Sequence, residues 1–273
     1  MVELRATAFI GCSGWEYKHW KGDFYPAGIP RSEWFAHYAR HFDTVEINNS
    51  FYRLPEPSTV DGWRKQAPPG FHYGWKASRY LTHMRKLKDP ADPVDLMFSR
   101  ARRLGDRLAV VLYQLPPRWK RNVERLQTLL DTIPRDIPQA VEFRDPSWYH
   151  DDVFQALQRA GVALCVHDMH GSATPRARVG PFTYVRFHGW EAKYSGNYSD
   201  DQLRSWADWL ARDIETRRDV YAYFNNDAHG HAPRNAATLR LLLHEALKPI
   251  ASAADRARDS PGEPSRRRHP ARA

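Results

Sequence analysis

The sequence predicts a TIM-type (β/α)8 barrel with a short or missing sixth helix. Three observations carry that prediction. Eight strand-like segments recur along the chain, and amphipathic helical periods lie between most of them. The length, 273 residues, is one that a single α/β barrel fills.

Each element follows from local pattern. The first strand is expected at Phe9–Cys12. A helix after Ser32 puts Trp34, Phe35, Tyr38, Ala39 and Phe42 on one face, at the three-to-four spacing of an amphipathic helix. Strands two and three are read at Thr44–Asn48 and His72–Lys76. The helix of Val94, Met97, Phe98, Ala101 and Leu104 leads to strand four, Leu108–Gln114. Val123, Leu126, Leu129, Leu130 and Ile133 mark the next helix, before strand five at Ala140–Arg144. Strand six is Val162–His167, and residues 168–182 after it show no helical period. Strand seven is Thr183–His188. Ser199 with Gln202 has the form of a capping box opening the helix of Leu203, Trp206, Leu210 and Ile214. Strand eight, Val220–Phe224, precedes a helix through Leu239, Leu242, Leu243 and Leu247. An open doubly wound sheet would need a Gly-rich phosphate turn, and none is present.

Composition narrows the class. Hydrophobic residues are 42% and charged residues 27%, as in globular proteins that stay in water. Residues 1–250 are expected to form a single domain, and residues 251–273, rich in Ala, Arg, Pro and Ser, a disordered basic tail. No apolar run approaches a membrane span, and no secretory leader is visible. Cys12 and Cys165 are too few for a disulfide framework or a four-cysteine zinc site. A cytoplasmic protein is the expectation. The net charge is +9; six Arg against two Asp and one Glu put +3 of it in residues 249–273, leaving +6 elsewhere. A basic chain favours anionic partners, although no basic stripe is visible outside the tail.

Strand parity locates a site. Val45 and Ile47, Tyr73 and Trp75, Val141 and Phe143, Val185 and Phe187 form the apolar parity and should face the helices. The other parity then lines the barrel: Glu46 and Asn48, Lys76, Glu142 and Arg144, Arg186 and His188. These sit near the C-terminal strand ends, the active-site mouth of this architecture. Gln114, Asn225, Asn226 and Asp227 add polar groups there. A structural alternative is an internal ion network, for example Glu46 with Lys76 and Glu142 with Arg186. The loops above carry aromatic residues: Trp15, Tyr17, Trp20, Phe24 and Tyr25, then Phe51 and Tyr52, Trp148 and Tyr149, and Trp190, Tyr194 and Tyr198. Such a wall suits a flat or ring-shaped ligand.

Several ordered motifs resemble the YecE-like family (domain of unknown function 72). They are IGCSGWEYKHWKGDFYP (10–26), FDTVEINNSFYRLP (42–55), FHYGWKAS (71–78), YQLPPRW (113–119), VEFRDPSW (141–148), YVRFHG (184–189) and VYAYFNNDAHGHAPRNA (220–236). The resemblance spans roughly residues 9–248. It implies a TIM barrel with no sixth helix and supplies no activity. Its characteristic positions here are Trp15, Tyr17, Trp20, Tyr25, Glu46, Asn48, Tyr52, Lys76, Gln114, Pro116, Glu142, Arg144, Trp148, Arg186, His188, Asn225, Asn226, Asp227 and Asn235.

The residues point first to metal-independent acid–base chemistry on a phosphorylated or carboxylated, ring-containing substrate. Glu46 and Glu142 are the expected acid and base, and His188 the proton shuttle. Lys76 and Arg144 form the expected anion clamp, with Asp227 also at the mouth. Trp15, Tyr17, Trp20, Tyr25, Asn48, Tyr52, Gln114, Trp148, Arg186, Tyr194, Asn225 and Asn226 are the expected ligand contacts. Replacing Glu142 with Gln is expected to abolish turnover. The alternative is endonuclease-like binding of nucleic acid or nucleotide, with a divalent ion on Glu46, Glu142, His167, Asp168, His188 or Asp227. No metal motif or tight ligand spacing supports it, and Lys76 and Arg144 at the rim would repel a cation. The sequence names no cofactor and no oligomeric state.

Overall fold

The computed structural model describes residues 6–190 and 195–258; for residues 249–258 it describes the helix alone. Eight strands close into a barrel in chain order. They are β1 (Ala8–Ser13), β2 (Thr44–Ile47), β3 (His72–Lys76), β4 (Leu108–Gln114), β5 (Gln139–Glu142), β6 (Ala163–Asp168), β7 (Thr183–Phe187) and β8 (Val220–Phe224). Every neighbouring pair is parallel, and β8 closes on β1. The helices are α1 (Trp34–His41), α2 (Asn49–Tyr52), α3 (Pro57–Gln66), α4 (Ala91–Ala101), α5 (Val123–Thr132), α6 (Asp151–Ala160), α7 (Asp200–Glu215) and α8 (His231–Arg258). Among the described residues, no helix is long and apolar enough to cross a membrane.

Period two in the strands separates two cores. Val45, Ile47, Tyr73, Trp75, Val141, Phe143, Val185 and Phe187 join the outer shell between strands and helices. Val110, Leu112, Ala140, Ala163, Cys165, Tyr184 and Tyr223 fill the barrel interior. Cys12 belongs to the outer shell and Cys165 to the interior; both are buried thiols. This alternation aims Glu46, Glu142 and Arg186 inward, above the apolar plug.

Helix ends follow their capping chemistry. The Ser199 side chain accepts from the Gln202 backbone N–H, and the Gln202 side chain reciprocates, completing the expected capping box of α7. The Asn122 side chain caps α5 by accepting from Arg125 N. Gly161 ends α6 at φ +66°, the left-handed conformation glycine adopts without strain.

Some elements depart from the pattern reading. Strands β2, β5 and β7 end one or two residues early, so Asn48, Arg144 and His188 lie just above the ladder. The pattern passed over α3, whose buried positions are few (Val60 and Trp63), and α6, where Val153, Ala156 and Leu157 do carry the helical spacing. Between β6 and β7 the described chain forms no helix. At the other end, α8 continues through Arg258, into the segment expected to be irregular. Residues 259–273 of the expected tail lie outside the described residues.

Candidate functional site at the barrel mouth

The floor of the mouth is a buried ion network centred on Arg186. Its Nη2 donates to Glu46 Oε1 at 2.8 Å, and its Nη1 donates to Glu142 Oε2 at 2.7 Å and Gln114 Oε1 at 3.1 Å. Glu46 also accepts from Ser13 Oγ, and from the Tyr184 hydroxyl at 2.6 Å. Arg144 Nε donates to Glu142 Oε1, and its Nη2 donates to His188 Nε2 at 2.6 Å. The Asn225 amide lies 3.2 Å from His188 Nδ1. Glu46, Glu142, Arg186 and His188 are all fully buried. Two carboxylates and two guanidinium groups cancel, which is how such charges can be buried together.

The network sets the protonation of its members. Burial raises the Glu142 carboxyl, but Arg144 and then Arg186 outweigh it and hold it well below the usual carboxylate range. Burial and the Arg144 charge push His188 well below its ordinary value, so its imidazole is neutral near pH 7. Burial, followed by the Arg186 charge, lowers the Lys76 ammonium to about 7. Lys76 stands apart from the ion pairs. Its Nζ donates to Asn48 Oδ1 at 3.1 Å and sits 4.2 Å from the centre of the Phe51 ring, whose face favours the cation.

Lys76 borders two clefts. One, of about 580 Å³, is walled by Trp15, Tyr17, Tyr52 and Trp63, with Asn48, Asn225 and Asp227 supplying polar groups. The other, of about 510 Å³, is lined by Arg79, His83, Gln114, Arg144 and Ser172 beside Phe51 and Tyr52. Among the described residues lining this second cleft there is no Asp or Glu. Tyr52, 67% exposed, stands on the rim shared by both.

The expected site residues separate into three groups. Trp15, Tyr17, Asn48, Tyr52, Lys76, Asn225, Asp227, Gln114 and Arg144 reach a cleft. Glu46, Glu142, Arg186 and His188 lie beneath, in the floor. Of the two expected pairings, Glu142 with Arg186 forms, but Glu46 also bonds Arg186, and Lys76 bonds Asn48 instead. The remaining residues do not line either cleft. Trp148 is buried against Phe143, rings 4.8 Å apart, and its indole N–H donates to Trp119 O. Tyr25 stacks on Trp34 at 4.8 Å, and its hydroxyl bonds Trp15 O. Trp20 is buried among Tyr17, Phe24 and Tyr25 and donates to Asp227 O. Asn226 donates to Gly196 O and Asn235 Oδ1. These four make the loops' own packing, which is what a long loop requires of its large side chains. Tyr194 lies outside the described residues.

Arg79, His83, Trp63 and Phe51 were not among the expected ligand contacts. Arg79 and His83 follow the end of β3, where position just beyond a strand is the available signal. Trp63 arrives on α3, which has too weak an apolar period to be seen. Among the described residues, no group of three or more His, Cys, Asp or Glu is placed to hold a metal ion. His167 bonds Thr174 and Ser172, Asp168 accepts from Trp206 Nε1, and Asp227 lies 3.3 Å from His19 Nε2.

Comparison with known proteins agrees with this architecture. The family model described as protein of unknown function DUF72 matches residues 9–260. The UPF0759 protein YunF of Bacillus subtilis is 29% identical over 273 residues, covering 86% of this chain and 94% of that protein. The UPF0759 protein YecE of Escherichia coli K12 is 31% identical over 142 residues, covering 52% of this chain and 50% of that one. The crystal structure of the DUF72 protein TM1631 from Thermotoga maritima superposes with TM-score 0.80 at 26% identity, covering 87% of this chain and 99% of that chain. That of EF0366 from Enterococcus faecalis gives TM-score 0.74 at 18% identity, covering 87% and 96%, a likeness of fold.

Proposed function

Because the chain belongs to the DUF72 family, proteins of unknown function, its activity has to be read from the site, and we propose that the mouth takes a small anionic ligand carrying a ring and acts on it by metal-independent proton transfer. The observation that carries this reading is the contrast between the two clefts meeting at Lys76. The cleft with Lys76, Arg79 and Arg144 suits a phosphate or carboxylate. The cleft walled by Trp15, Tyr17, Tyr52 and Trp63 suits a flat ring, with Asn48 and Asn225 for its polar substituents. Both volumes lie within the roughly 300–1,000 Å³ of small-molecule sites.

In this reading Glu46 and Glu142 hold the cations in place instead of exchanging protons, because arginines occupy both carboxylates and neither borders a cleft. Proton exchange falls to groups that do border one. These are Lys76 and Asp227, whose carboxyl is raised by burial.

The test is a binding panel of phenyl phosphates and benzoates against matched neutral alcohols, followed by ligand-observed NMR. Support is binding of the anions alone, weakened about tenfold by Arg79→Met, the scale of one lost charge-assisted hydrogen bond. Equal binding of the neutral alcohols, or indifference to Arg79→Met, overturns it. Binding of oligonucleotides alone, weakening steeply with salt, would favour the nucleic-acid reading instead.

A further inference from the structure

We infer that Lys76 is an imine-forming lysine and that the ligand of this mouth is an anionic aldehyde or ketone. The inference rests on the anionic-ligand reading above and names the functional group that reading leaves open.

Three features of the geometry point to it. Lys76 ends β3, and its side chain is 5% exposed at the junction of both clefts. Its partners are a neutral amide oxygen at 3.1 Å and a ring face, and among the described residues it makes no ion pair. The two nearby carboxylates that would keep an ammonium charged, Glu46 and Glu142, are already bonded to Arg186 and Arg144.

A lysine needed only as a positive charge gains nothing from this placement. Arg79 and Arg144 supply positive charge to the same cleft. What an arginine cannot do is lose its proton near neutrality and attack carbon. Desolvation beside other cations is the setting that frees a lysine amine for that step. With its ammonium pushed down to about 7, Lys76 at pH 7 carries an unprotonated fraction on the order of 10³ times that of an ordinary lysine.

The step balances without a cofactor. The Nζ lone pair forms a bond to the carbonyl carbon, and the C=O π pair moves to oxygen, which takes a proton. The carbinolamine nitrogen gives up a proton. The hydroxyl, protonated by solvent, leaves as water and the protonated imine remains. Asn48 Oδ1, already 3.1 Å from Nζ, is placed to accept the N–H that the imine keeps.

The experiment uses the full chain with 4-carboxybenzaldehyde and sodium cyanoborohydride, which delivers hydride to an imine and so makes the bond permanent. Peptide mapping then locates the adduct. The expected result is reduced adduct on Lys76 ahead of all other lysines, with a rate that rises with pH through about 7. Lys76→Arg, its folding checked by circular dichroism and thermal melting, should abolish that adduct; 4-(hydroxymethyl)benzoate, the analogue without the aldehyde, reports binding to the unmodified chain. Binding of the analogue to the unmodified chain with no adduct on Lys76 overturns the imine and leaves the anionic-ligand reading standing. No binding of the analogue, with adducts scattered over surface lysines, overturns both.

Discussion

The guanidinium of Arg186 lies 2.8 Å from the Glu46 carboxylate, with both side chains fully buried and 140 positions apart in the chain. The same guanidinium bonds Glu142. One cation from β7 therefore ties β2 to β5 across the barrel interior, and closes the floor on which Lys76 and the two clefts rest.

Removing that cation should be costly. Arg186→Met leaves the buried Glu46 carboxylate without its cation, while Glu142 keeps Arg144, and breaking a buried pair this way costs about 3–5 kcal/mol. Urea unfolding checks it. Adding Glu46→Gln to Arg186→Met should recover part of the loss, since it removes the charge left without a cation. A loss below about 1 kcal/mol for Arg186→Met, the scale of a surface pair, would mean the network does not hold the floor.

Glu142→Gln should lower stability as well as any activity. Glu142 accepts from Arg144 and Arg186 and lies beneath the clefts. Losing a charged partner of a buried hydrogen bond costs roughly 1–3 kcal/mol. Measured together, unfolding and ligand affinity should fall in parallel. Lost turnover with unchanged stability would restore Glu142 to a chemical role.

Tyr52 and Trp148 should behave oppositely. Tyr52 is mostly exposed at the shared rim, so Tyr52→Ala should change stability by no more than about 0.5 kcal/mol. It should still weaken binding of an anionic aromatic probe. Trp148 is buried in the outer shell, so Trp148→Ala should cost about 3–5 kcal/mol. Its folded fraction should bind the probe normally. Calorimetric melting with probe titration separates the two, and a binding defect in folded Trp148→Ala would contradict the packing assignment.

The protein should lose stability as pH falls from 6.5 toward 4. His167 is buried, with Nδ1 on the Thr174 hydroxyl at 2.7 Å and Nε2 on the Ser172 hydroxyl at 3.1 Å. Burial pushes its imidazole from 6.5 down to about 4. His83 is lowered to about 4 too, by burial and then by Lys76. Across this window the unfolded chain binds protons that the folded chain refuses, so unfolding is favoured as pH drops. Melting temperatures at pH 4–7 measure the slope, and His167→Gln should flatten it. An unchanged slope in that variant would assign the acid sensitivity elsewhere.

Much of this molecule was legible locally. Alternation of Val45, Glu46 and Ile47, or of Val185, Arg186 and Phe187, is a property of extended backbone alone. It determined which residues face the helices and which enter the barrel. The capping box at Ser199 and Gln202 was equally local. Three- to four-residue spacing marked most helices; the apolar stripe is thin on α3 (Val60 and Trp63), but on α6 Val153, Ala156 and Leu157 carry the spacing and the pattern reading passed over it.

What the sequence by itself determined was therefore the barrel, its parity and the rim at which charged residues gather, because each depends on backbone periodicity over a few residues. Only the tertiary structure decided the partners. Strand pairing and side-chain length bring Arg186, not Lys76, to Glu46, and that exchange leaves Lys76 hydrogen-bonded to a neutral amide at the junction of the clefts. Loop packing likewise turned Tyr25 onto Trp34 and Trp148 onto Phe143, away from the mouth. An aromatic ring in a loop buries its area wherever a partner surface lies, and that surface is set by residues distant in the chain.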